Sequence, residues 1–257
     1  MSKSLDGVLI KKANQQEVFT NEEILEFAKC TDSATGPFYF LTNYFNIQHP
    51  VQGQIKYHPY EYQERLLQTY HNYRFNINML PRQTGKTTTA AGYLLWRAMF
   101  VPDSIILIAA HKYAGAQEIM QRIRYAYELC PNHIRAGVTS YNKGSIEFDN
   151  GSRIIAQATT ENTGRGLSIS LLYSDEFAFV RNTIAREFWT SISPTLATGG
   201  SAIITSTPNS DEDQFAIIWR DANKNFDEHG NELPGAVGVN GFKAYRSYWH
   251  EHPDRDE

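Results

Sequence analysis

Between Tyr60 and Thr205 the chain alternates two kinds of apolar pattern. Leu66, Leu67 and Tyr70 recur at the spacing that puts side chains on one helix face, and the proline-free stretch from Thr87 to Phe100 predicts a second helix. Between them Phe75, Ile77 and Met79 alternate with polar residues, as a strand does. Ser104-Ile105-Ile106-Leu107-Ile108-Ala109 is the continuous apolar run of a strand covered on both faces, and a helical stretch from Ala114 to Leu129 follows it. Leu171-Leu172-Tyr173 and Ala202-Ile203-Ile204-Thr205 predict two more buried strands, with a helix across Ile184 to Ile192 between them. Residues 144–158 predict a hairpin, with Ser145 to Phe148 and Arg153 to Ala156 joined around Asn150-Gly151. Strands alternating with helices in this order predict an α/β fold with a mostly parallel sheet flanked by helices.

The flanks of this pattern differ. The first 20 residues are polar and unpatterned, and Thr20-Asn21-Glu22-Glu23 then predicts a capped helix start ahead of Ile24, Leu25 and Phe27. An aromatic-rich run from Phe38 to Phe45 follows, and Pro50, Gly53 and Pro59 punctuate the chain after it. Residues 1–58 are therefore expected to form an N-terminal adaptor segment packed on a core of residues 59–257. Near the other end, Gly230, Pro234, Gly235, Gly238 and Gly241 predict a surface excursion across Asn223 to Gly241, with a last strand within Phe242 to Trp249.

Composition narrows the class. A hydrophobic share of 41% in 257 residues supplies a substantial core and excludes a mostly disordered chain. With 24 Lys+Arg against 28 Asp+Glu the net charge is −4, so the chain lacks the basic balance of a dedicated nucleic-acid binder, and any DNA contact is expected to be local or transient. Cys30 and Cys130 are the only cysteines and show no CxxC spacing, which argues against a disulfide framework or a zinc site and fits a reducing compartment. Met1 to Lys12 lacks an apolar leader and no stretch is long and apolar enough for a membrane span, so a soluble, unexported protein is expected. His250, His252 and Asp254 are read as a polar terminus, because no rigid element fixes them as metal ligands.

Three segments carry chemistry. Arg82-Gln83-Thr84-Gly85-Lys86-Thr87 lies between a strand ending near Leu80 and a helix beginning near Lys86, where backbone N–H groups at a helix N-terminus can hold phosphate oxygens. Gly85, Lys86 and Thr87 supply the end of GxxxxGK[ST], although Leu80 stands where the first glycine is expected. Asp175 and Glu176 end an apolar strand 89 residues after Lys86, so one carboxylate is placed to orient Mg²⁺ through water and the other to accept a proton from attacking water. Thr205-Ser206-Thr207-Pro208-Asn209 ends the next strand, at the sheet edge where open α/β sheets bind ligands, which suits either a γ-phosphate sensor or a capped turn.

Taken together, Tyr62-Gln63, Arg82-Gln83-x-Gly85-Lys86-Thr87, Asn142-Lys143-Gly144-Ser145-Ile146-Glu147, Asp149-Asn150-Gly151-Ser152, Arg165-Gly166, Asp175-Glu176 and Thr205 to Asn209 resemble the ATPase domain of tailed-phage large terminases, especially the T4-like group. The missing first glycine is itself a trait of that family. The resemblance implies a P-loop NTPase of the ASCE, RecA-like class that binds ATP and Mg²⁺ and drives double-stranded DNA into a procapsid. Residue by residue, it implies that Gln63 reads adenine, that Gln83, Thr84, Gly85, Lys86 and Thr88 hold the nucleotide with Arg82, and that Thr87 and Asp175 serve the metal. Glu176 would be the catalytic base and Arg82 a cis-acting arginine near the γ-phosphate. Thr205, Ser206, Thr207 and Asn209 would couple hydrolysis to movement. Arg165 would be a finger reaching the neighbouring subunit of a homo-oligomeric ring, whereas its sequence context alone is that of a surface arginine between two glycines.

The same resemblance implies a portal protein and a small terminase subunit as partners, a monomer in isolation, and action at the procapsid in the host cytoplasm. Only 47 residues follow Ser210, too few for the nuclease domain of a complete large terminase, so no DNA cleavage is expected of this chain. A helicase-like translocase shares these motifs but needs a second core. A nucleotide-gated docking module has no need of Glu176 as a base.

Overall fold

The computed structural model describes residues 9–227 and 229–253, and in it the chain folds as two units interleaved in sequence. The first holds the residues up to Pro59 together with Thr87–Ile106 and Gln117–Ile155, and the second holds Tyr60–Lys86, Leu107–Ala116 and the chain from Ala156 onward. Asp254 lies outside the described residues.

The first unit opens with α1 (Asn21–Thr31) and α2 (Gly36–Asn43). The expected capping box forms: the Thr20 hydroxyl accepts from the Glu23 N–H at 3.3 Å, and the Glu23 carboxylate accepts from the Thr20 N–H at 2.7 Å. A short antiparallel hairpin follows, β1 (Asn46–His49) and β2 (Gly53–Lys56). Most of α4 (Lys86–Phe100) and α5 (Tyr113–Leu129) belong here, and the Trp96 indole N–H donates to the Cys30 carbonyl at 2.9 Å. Both cysteines are buried, and burial pushes each thiol up to about 12. The predicted hairpin is present as β6 (Ser145–Phe148) and β7 (Arg153–Ala158), and β5 (Val138–Tyr141) extends it on the side of β6. The 150–151 turn is tied down by the Asn150 amide, which donates to the Ala98 and Met99 carbonyls at 2.9 and 3.1 Å.

The second unit carries the buried strands. Its order is β10 (Lys243–Arg246), β3 (Phe75–Met79), β9 (Ser201–Ser206) and β8 (Leu171–Asp175), then the ends of β4 (Ile105–Ala110) and of β7. The first three pairings are parallel, and the Thr159 N–H donating to the Ala110 carbonyl shows β7 leaving the sheet beside the end of β4. Every residue of β8 is buried, as are the last five of β9, which explains the apolar runs Leu171-Leu172-Tyr173 and Ala202-Ile203-Ile204. Each large side chain buried there, such as Leu172 or Ile203, contributes about 1.5–3 kcal/mol. Both α3 (Glu61–Asn72) and α7 (Gln214–Ala222) pack on β3 and β10, and α6 (Asn182–Leu196) packs on α7. Among the described residues of the excursion after Asn223 there are an isolated bridge between Phe226 and Glu232 and a short 3-10 turn at Pro234–Ala236. No described helix is long and apolar enough to cross a membrane.

Candidate active site

Parallel pairing sets the site. Asn78, Thr205 and Asp175 lie side by side on β3, β9 and β8, so all three strands end together. Just beyond β3, Leu80 is fully buried, and its N–H donates to the Ser206 carbonyl at 3.2 Å. Leucine at this position therefore fills core, which a glycine would leave empty, while its backbone extends the sheet pairing.

The loop from Pro81 to Gly85 is held from beneath by α3. The Tyr62 hydroxyl and the Gln63 amide each donate to the Thr84 carbonyl at 2.9 Å, and the Thr84 hydroxyl donates back to the Pro81 carbonyl at 2.9 Å. The Gln63 side-chain oxygen accepts from the Tyr60 N–H at 3.0 Å, so its amide joins the start of α3 to the loop. Gly85 adopts a φ of +71°, and a Cβ there would meet the Gln63 amide nitrogen at 2.5 Å. The position needs glycine for its backbone and for the close approach of Gln63. Gln83 has a φ of +59°, a left-handed conformation uncommon outside glycine.

Lys86 opens α4, and its ammonium lies 2.8 Å from the Glu176 carboxylate, with only 7% of the lysine side chain exposed against 32% of the glutamate. Glu176 follows β8 in the left-handed region at φ +51°, a strained turn that swings its side chain back to the strand ends. Its other carboxylate oxygen accepts from the Thr207 N–H at 3.3 Å and the Thr207 hydroxyl at 3.2 Å. Asn209 donates to the Ala178 carbonyl at 3.2 Å, and the Ala178 N–H donates to the Ser206 hydroxyl at 3.2 Å. The segment after β9 is thus bonded to the acid turn at several points.

Asp175 is buried, and Tyr173 two residues earlier donates its hydroxyl to the Asp175 Oδ1 at 3.0 Å. Burial, and next the Asp175 carboxylate, push the Tyr173 phenol well above its ordinary value and keep it a donor. Neither Tyr173 nor the Tyr62 contact with Thr84 was expected from sequence. The two-residue period of a strand was the available signal, since Tyr173 and Asp175 must share a face.

Arg82 is exposed, with its guanidinium 6.0 Å from the Phe179 ring centre in the 3-10 turn Phe177–Phe179. Arg165 is also exposed, and its side chain has no ion-pair partner among the described residues. Its loop is nonetheless fixed: the Thr163 hydroxyl bonds the Ala158 carbonyl, and the Gly164 N–H donates to Gln157 at 3.1 Å. Gly164 has a φ of +77°, and a Cβ there would run into Ile192 and Leu107. Thr87 and Thr88 continue α4 in the first unit, where the Thr88 hydroxyl accepts from Arg122 at 3.0 Å.

Oxygen donors are what Mg²⁺ takes, and the Asp175 carboxylate at a strand end supplies one, so the residues present fit this metal. Among the described residues no cluster of three His, Cys, Asp or Glu side chains competes as a metal centre.

Over residues 77–251 the sequence matches the family described as terminase large subunit, T4likevirus-type, N-terminal. In fold the chain is similar to the large terminase ATPase domain of Thermus phage P74-26, with a TM-score of 0.58 and 19% identity, covering 77% of this chain and 85% of that one. It is similar to the HK97 bacteriophage large terminase at a TM-score of 0.65 and 19% identity, covering 86% and 44%. The large terminase of the thermophilic bacteriophage D6E in complex with ADP gives 0.55 and 10% identity, covering 78% and 48%. The chain spans less than half the length of the HK97 and D6E proteins it matches. The family match takes in well over half of this chain and runs from β3 through the loop, Asp175-Glu176 and Thr205–Asn209. The chain therefore belongs to the terminase large subunit family of the T4likevirus type, matching its N-terminal part.

Proposed function

We propose that this domain hydrolyses ATP at the ends of β3, β8 and β9 and that the hydrolysis drives double-stranded DNA into a procapsid. The observation that carries the reading is the Lys86–Glu176 pair, with Thr207 bonded to the same carboxylate.

The chemistry follows from these groups. The loop N–H groups and the α4 N-terminus receive the phosphates, and Lys86 leaves Glu176 to pair with the β- and γ-oxygens. Glu176, released from that pair, takes the proton of the attacking water as the water oxygen bonds to the γ-phosphorus. The bond to the β,γ-bridging oxygen breaks, leaving ADP and phosphate. Asp175, with the Thr87 hydroxyl next to Lys86 in sequence, would hold Mg²⁺, which when bound neutralises charge on the phosphate oxygens. Arg82 serves the γ-phosphate within its own subunit, and Arg165 reaches the site of a neighbour in the ring. Gln63 fixes the loop and faces the adenine.

Coupling runs through Thr207. A change of partner or protonation at Glu176 alters its two bonds to Thr207, and so pulls on the segment from Ser206 to Asn209. In the assembled motor the partners are the portal protein, the small terminase subunit and further copies of this chain, acting at the procapsid in the host cytoplasm. DNA is held through its phosphates without regard to sequence.

Phosphate release measured with and without duplex DNA, across a salt series, tests this. Stimulation by DNA of any sequence, falling steeply with salt, is expected. Stimulation restricted to one sequence, or insensitive to salt, would contradict a translocating motor.

A further inference from the structure

Resting on the reading of Asp175 as the metal-orienting carboxylate, we infer that Tyr173 is the positioning residue that fixes this carboxylate for the metal. The two side chains lie at i and i+2 on β8 and hence on one face of the sheet. The phenol donates to Asp175 Oδ1 at 3.0 Å. Tyr173 is fully buried, and both flanks of the pair are ordered by strand pairing, Tyr173 against Ile203 and Asp175 against Thr205. The ring therefore cannot turn away without opening the core, and its hydroxyl is a fixed point.

A carboxylate rotates freely about its last torsion unless an oxygen is held. Asp175 as a residue is only 8% exposed, so bulk water has little part in orienting it. The Tyr173 bond selects one rotation of the carboxylate at the strand end, and a preset rotation lowers the ordering cost when a metal and its waters arrive. A buried tyrosine needs an acceptor for its own sake, and packing alone satisfies that need with any carbonyl. Here the acceptor is the one carboxylate of β8, and the outcome differs between the two roles: a packing role predicts an effect on stability, a positioning role an effect on metal affinity.

Tyr173→Phe removes only the hydroxyl. Mn²⁺ serves as the probe, with free Mn²⁺ followed by electron paramagnetic resonance in the presence of ADP and the full chain. ADP binding is measured separately by calorimetry in EDTA. Tyr173→Phe is expected to weaken Mn²⁺ binding by about 10-fold, the range of outer-sphere partners, while metal-free ADP binding stays at the wild-type value. Asp175→Asn is measured beside it. If Asp175→Asn weakens Mn²⁺ binding and Tyr173→Phe does not, the positioning role is wrong and the role of Asp175 stands. If Tyr173→Phe loses metal-free ADP binding as well, Tyr173 is a packing residue and the inference is overturned. If Asp175→Asn itself leaves Mn²⁺ affinity unchanged, the reading of Asp175 fails and this inference falls with it.

Discussion

Lys86 and Glu176 lie 2.8 Å apart, at the end of the 81–85 loop and just after β8 respectively, and in the proposed reaction each gives up the other when a triphosphate enters. The lysine is almost wholly enclosed and the glutamate is a third exposed, so the contact stores little stability and mainly sets geometry. Replacing Lys86 with alanine removes the fixed cation proposed to meet the β- and γ-oxygens. The expected result is a fall in kcat/KM of at least about 100-fold in steady-state phosphate release, accompanied by weaker ATP binding in calorimetry.

Gly85→Ala tests the strut between α3 and the loop. The added methyl meets the Gln63 amide and is also placed at a φ of +71°, which alanine disfavours. A loss of about 1–3 kcal/mol in urea unfolding is expected from the backbone alone. Gln63→Ala removes the strut without straining the loop, so its loss in the same urea titration should be the smaller of the two.

Thr20→Ala addresses a device far from the chemistry. The Thr20 backbone N–H, and next its hydroxyl, hold the Glu23 carboxyl below its ordinary value of 4.5. A lowered carboxylate stabilises the fold above that value, and the contribution is lost as pH falls through the folded-state value. Thr20→Ala should cost about 1 kcal/mol at neutral pH. The difference between variant and parent should shrink as the pH falls below 4.5, read by urea unfolding at each pH. A difference constant across that window would show that the Glu23 charge gains nothing from the Thr20 hydroxyl, the part of the cap this substitution removes.

Arg165 sits exposed on a loop that is itself anchored, which suits a side chain aimed at another molecule. As a finger shared between subunits it would be worth about 10³ or more in rate. Arg165→Ala and Glu176→Gln chains should each be inactive alone, and mixing them under conditions that drive assembly should restore part of the phosphate release. Assembly without recovery, or normal hydrolysis by Arg165→Ala, would move the γ-phosphate arginine to Arg82.

Much of this architecture was legible because buried parallel strands and capped helices leave simple patterns. The apolar runs Leu171-Leu172-Tyr173 in β8 and Ala202-Ile203-Ile204 in β9 mark those strands, and Thr20 with Glu23 marks the start of α1 to the residue. What escaped has a physical reason in each case. Half-exposed β5, with Thr139, Ser140 and Tyr141, shows no run and no clean alternation, and it exists because β6 offers it an edge. The β1–β2 hairpin is mostly exposed and its pattern is broken by Pro50. The N-cap Asp213 and the buried Phe215, Ile218 and Ala222 did carry a helical signal for α7, masked by the Pro208-Asn209 turn before it. In the site, the motif residues were readable as motifs. Their side-chain partners were not, since the bonds of Gln63 to Thr84 and of Glu176 to Thr207 join positions 21 and 31 residues apart.

In the proposed reaction Glu176 takes the proton of the attacking water. Glu176→Gln keeps the shape and the contacts to Thr207 but cannot serve as the base, and it also frees Lys86 from a charged competitor. The decisive measurement is a single-turnover experiment with this variant, following bound ATP and released phosphate in the same sample. ATP held at least as tightly as by the parent chain, with phosphate release slowed by at least about 100-fold, is the predicted result. Phosphate release at the parent rate would assign the base to another residue and contradict the account.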